Sequence, residues 1–134
     1  METLLMFIAD YAALEPNTGK LNVLGAFNRV TVNTLPHVHD RFVFVVKIAG
    51  EVLQDRREHK LAMSILDEDS NILLTLEGPF MFPSMPPGIP PEYLRMVELN
   101  RFEFPDEGDY RCEVNVDDGA LRESIVLRIE RKGT

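Results

Sequence analysis

The chain has 134 residues, 45% hydrophobic and 27% charged, and a formal net charge of −8. That length suits one domain with a sizeable core, and the acidic excess argues against nucleic acid, which is held by clustered Lys and Arg. Cys112 is the single cysteine, so an internal disulfide, the usual brace of a small secreted domain, is excluded.

In chain order, residues 3–13 come first. Leu4, Met6 and Ile8 alternate with Leu5, Phe7 and Ala9, so both faces of the expected strand are apolar. The run carries no Lys or Arg and meets Asp10 too early for a signal peptide. No stretch is long enough to span a bilayer as a helix, and the cytoplasm, away from membranes, is the expected location. Glu15 to Gly19 is a turn cluster, and Lys20 to Val32 reads as one long strand with a bulge or close approach at Gly25. Thr34 to Asp40 reads as a connection. Arg41 to Gly50 is strongly β-forming, with Phe42, Phe44, Val46 and Ile48 on one side and Val43, Val45 and Ala49 on the other.

A charged loop, Glu51 to Glu58, precedes a strand built on Leu61, Met63 and Ile65, and Glu68 to Asn71 turns the chain into Ile72 to Glu77. Pro79 to Pro91 holds six of the nine prolines among Phe80, Met81, Phe82, Met85 and Ile89, which excludes a helix or a central strand. One helical turn is expected over Glu92 to Met96. Leu94 to Phe104 then forms a strand whose apolar parity shifts near Asn100, as at a bulge. Next come a tight corner at Pro105–Gly108, a half-buried strand over Tyr110 to Val116, and a two-residue turn at Asp118-Gly119 that returns Leu121 to Ile129 alongside. Asp106-x-Gly108-x-Tyr110-x-Cys112 has the order of the tyrosine corner of immunoglobulin-type sandwiches, with Gly108 and Tyr110 as its structural residues. About eight strands without a long helix predict a single all-β domain over residues 1–134, an antiparallel β-sandwich with immunoglobulin-like features.

Ala9-Asp10-Tyr11-Ala12, Gly19-Lys-Leu-Asn-Val-Leu-Gly25-x-Phe27-Asn-Arg29, Leu35-Pro36, Asp67-Glu-Asp69 and Phe104-Pro105-x-x-Gly108-x-Tyr110 together resemble a family of small bacterial proteins of unknown function. The likeness spans nearly the whole chain, and the run from Gly19 to Gly25 is its most specific part. It implies a compact bacterial β domain. It supplies no activity, cofactor or functional residue.

The residues offer little chemistry. His37-x-His39-Asp40 has metal-like spacing, but a zinc or iron site needs further ligands. His59 falls in a loop and Cys112 in a core strand, so the histidines read as solvated loop residues and no metal is expected. Asp67-x-Asp69-x-Asn71 begins like a calcium loop, but Ile72 and Gly78 stand where its glycine and glutamate belong. Ser64, Ser70, Ser84, Ser124 and Cys112 have no activating context, so neither an enzyme nor a cofactor is expected.

Two features suggest an interface. Phe80, Met81, Phe82, Met85 and Ile89 in the proline-stiffened loop either cap an open end of the sandwich or present a binding surface. Val43 and Val45 lie on a second apolar face that one core cannot cover, and a second copy of the chain is the simplest cover. The expected role is non-catalytic protein–protein interaction or assembly, with a homodimer or another protein as partner. The alternative is a sugar- or peptide-binding cleft near the loop and Tyr93.

Overall fold

The computed structural model describes residues 1–51 and 57–133, and residues 52–56 of the charged loop lie outside this description. Nine strands form among the described residues: β1 (Glu2–Leu14), β2 (Leu21–Phe27), β3 (Arg29–Val32), β4 (His37–Ala49), β5 (His59–Leu66), β6 (Ile72–Phe80), β7 (Glu92–Phe104), β8 (Gly108–Val116) and β9 (Leu121–Arg131). They make two packed sheets, in the orders β2-β1-β4-β7 and β3-β9-β8-β5-β6. All pairings are antiparallel except β3 with β9. Among the described residues no helix is long and apolar enough to cross a membrane.

The core is read directly from alternation. Tyr110, Cys112, Val114 and Val116 of β8, Leu61, Met63 and Ile65 of β5, and Phe42, Phe44, Val46 and Ile48 of β4 are buried in one cluster. Period-two apolar residues put one face of each strand against the other sheet. Cys112 is fully buried, and burial pushes its thiol up to about 12. The corner also forms. Tyr110 donates its hydroxyl to the Asp106 carbonyl at 2.6 Å and accepts from the Asp106 amide at 3.2 Å. Tyr110→Phe should therefore lower the free energy of unfolding by about 1 kcal/mol, the net worth of such a bond. A denaturation midpoint unchanged from wild type would show that the corner does not contribute.

Several elements depart from expectation. The run Lys20–Val32 is not one strand: it breaks at Asn28, so that β2 joins one sheet and β3 the other. Gly25 supplies the predicted irregularity, at φ +67°, where a side chain would run into Asp10. The segment beginning at Glu92 is extended, since β7 pairs along its whole length with β4. The parity shift in β7 occurs without an extra residue. Arg101 adopts φ +55°, and the register with β4 is the same on both sides of it. The β8–β9 turn holds Asp117 to Ala120 rather than two residues, with Ala120 and Gly119 both donating to the Val116 carbonyl. Pro79 is accommodated inside β6 because β6 is an edge strand.

The second apolar face is also real, but largely self-covered. Val43 and Val45 are 4% and 0% exposed and form a small cluster with Ala9. Phe7, Leu94 and Met96 flank it on the sheet, and Ala12 and Leu21 of the β1–β2 hairpin pack against it. The expectation that these valines await a second copy fails for that reason. Each obtains its burial, worth about 1.5–3 kcal/mol per large side chain, within the chain.

Candidate interaction surface

The proline-rich loop divides by parity. Phe80 and Phe82 are 6% and 5% exposed, whereas Met81 between them is 57% exposed, and Met85 and Ile89 are exposed as well. The two phenylalanines thus cap the sandwich, and their place in an expected interface is corrected. Phe80 stacks on Tyr93 at 4.4 Å and on His59 at 5.3 Å, and Phe82 meets both Phe80 and His59 edge-on. Gly50 makes room for Phe82, whose ring a Cβ would approach to 3.0 Å, and donates its amide to Pro91 at 2.8 Å. The loop is therefore anchored at both ends while its methionines and Ile89 face outward.

His59 is the residue the sequence reading misplaced. It opens β5, is 1% exposed, and its Nδ1 lies 2.6 Å from Oδ2 of Asp117. Asp117 also accepts from the Lys60 amide at 2.9 Å and pairs with Arg57 at 3.2 Å. Burial opposes the Asp117 charge, but the bonds from His59 and the Lys60 amide, with the charges of His59 and Arg57, hold its carboxyl below the ordinary value. A usable signal did exist, because His59 shares the parity of Leu61, Met63 and Ile65. The pair ties the β8–β9 turn to β5. Beside it, Glu58, Lys60, Glu77 and Pro79 border an open trough of about 490 Å³.

His37 and His39 are likewise in a strand rather than a loop. Their rings lie in an aromatic group with Phe27, Phe42 and Phe104, and Nε2 of His37 is 3.1 Å from Nδ1 of His39. Burial, and then the neighbouring His37, hold His39 below its ordinary pKa, and the two facing ring nitrogens are placed to share one N–H. Among the described residues no three His, Cys, Asp or Glu side chains are grouped to hold a metal. Asp67 instead spends its carboxylate on the amides of Asp69 and Asn71 and on the Asn71 side chain, the bonds of a polar turn.

Among the described residues, the space lined by Tyr93 is small. Tyr93 lies flat on Phe80, and the space beside it, lined by Met63, Leu76, Arg95 and Val97, measures about 10 Å³, too little for more than one water. What the neighbourhood does offer is a surface. β6 pairs only with β5, leaving its other edge open among the described strands, and Ile72 and Leu76 are exposed on it. The chain then runs directly into exposed Met81, Met85 and Ile89.

Residues 4–130 match the model of a family described as one of unknown function, DUF6941. No curated protein matches the chain.

Proposed function

We propose that this chain, which belongs to the DUF6941 family, is a non-catalytic interaction module that associates with a second copy of itself through the β6 edge and the loop that follows it. The observation that carries the reading is the segment from Ile72 to Ile89. It sets five exposed large apolar side chains, Ile72, Leu76, Met81, Met85 and Ile89, on an open strand edge and a loop anchored by two buried phenylalanines. An anchored loop loses little freedom on binding, so more of the contact energy remains for association. Strand pairing supplies the geometry. Met63 and Ile65 put Leu76 and Leu74 on the inner face of β6, and a two-fold axis at Thr75 sets Leu74 of one copy beside Leu76 of the other. Only Glu77 carries a charge between Ile72 and Phe80, so the edge has little of the charge that blocks such pairing.

Light scattering and sedimentation test this. Wild type should form dimers at micromolar concentration, and Met81→Ser combined with Ile89→Ser should weaken them by about tenfold or more, a loss of over 1.4 kcal/mol. At concentrations low enough for both to be monomeric, the double variant should keep the wild-type melting temperature, because neither side chain belongs to the core. A wild-type protein that stays monomeric near millimolar concentration would overturn the reading.

A further inference from the structure

The opposite side of the sandwich has a strand-sized gap. β3 pairs with β9 only from Arg128 to Arg131, and the last such bond runs from the Arg128 amide to Asn28. From Leu121 to Leu127, β9 has β8 on one side and no described strand on the other. Above it, β1 meets β2 only from Ile8 onward, so residues 2–7 of β1 also have an open edge. Between these edges lies a groove of about 560 Å³, lined by Met6, Ile8, Phe27, Ile125 and Val126 among others. The gap exists because the chain leaves β2 at Asn28 and crosses to the other sheet before β9 is fully covered.

We infer that this groove accepts an extended peptide segment from another protein, paired along the β9 edge from Leu121 to Leu127, with apolar residues alternating around one Lys or Arg. The edge is already a strand acceptor, since β3 occupies its continuation from Arg128 onward. The open length is about 23 Å at roughly 3.3 Å per residue, enough for a heptapeptide. Inner-face positions are fixed by register: Leu121, Glu123 and Ile125 pair with Val116, Val114 and Cys112, all core residues. Glu123 thus points toward the layer between the sheets, yet it is exposed and makes no ion pair among the described residues. An inward carboxylate keeps an open edge from pairing indiscriminately, and it selects a strand that brings a cation to that position. The net charge of −8 favours the same kind of ligand.

The probe is a fluorescent, capped heptapeptide, Val-Thr-Lys-Thr-Val-Thr-Val, titrated into the whole chain. Saturable anisotropy and slowed amide hydrogen exchange from Leu121 to Leu127 are expected. Glu123→Lys, or glutamate for lysine in the peptide, should each weaken binding severalfold, and the two changes together should restore it. No saturation by about 1 mM, protection on β1 in place of β9, or an affinity indifferent to the charge exchange would each overturn the inference. So would exchange protection at Leu121–Leu127 that rises with protein concentration alone, because a second copy would then be the occupant.

Discussion

Phe82→Ala is expected to lower the free energy of unfolding by about 3–5 kcal/mol, the cost of deleting a buried aromatic ring. Phe82 is 5% exposed and contacts the rings of Phe80 and His59 and the backbone at Gly50. Its loss leaves a cavity under a loop whose prolines limit how far it can collapse. Met81→Ala, one residue away, should change stability by about 0.5 kcal/mol or less, as is usual at an exposed position. Chemical denaturation of the two variants measures the contrast. Equal losses would show that the loop does not divide into an inward and an outward face.

Asp117→Ala should cost about 1–3 kcal/mol, chiefly because it strips the acceptor from a buried imidazole. His59, buried between two phenylalanines, loses its 2.6 Å partner, and the Lys60 amide loses its 2.9 Å partner. Loss of such a bond to a buried group costs about 1–3 kcal/mol, whereas the Lys60 bond is exposed and water can replace it. The pH dependence follows from the direction of the Asp117 shift. A carboxyl held below its ordinary value of 3.8 contributes stability that is full above that value and is lost as pH falls through the folded-state pKa. The wild-type advantage over Asp117→Ala should therefore shrink on acidification below about pH 4. An advantage that stays constant down to pH 2 would remove the carboxylate from this role.

The architecture was legible wherever one physical signal acted alone. Alternation identified the faces of β4, β5 and β8, and Asp-x-Gly-x-Tyr located the corner at Tyr110. Reading failed where two signals met. Gly25 and Asn28 sit in one β-forming run, and nothing local says that the chain changes sheets between Phe27 and Arg29. His59 was read by its charged neighbours, although its parity with Leu61 was the better guide. Val43 and Val45 were correctly placed on a second apolar face. Their cover, however, depends on where Ala12 and Leu21 of the β1–β2 hairpin fall, and that is tertiary information. The loop looked like a choice between cap and surface, and alternate residues serve each.

One consequence of the break at Asn28 concerns the order in which a nascent chain can close. Among the described residues β3 is an edge strand that pairs with β9 alone, so Arg29 must wait for Arg128. The whole first sheet can assemble once β7 has emerged, and β5, β6 and β8 can follow. β3 can dock only once β9 is free to pair. Long-range parallel pairing of this kind carries a large loop-closure cost and comes late. Until then β3 hangs unpaired between the crossings at Asn28 and at residues 33–36, and afterwards it is held by partners far along the chain, as Arg29 is by Arg128. A chain whose β9 has yet to pair leaves β8 uncovered on one side, a natural substrate for chaperones.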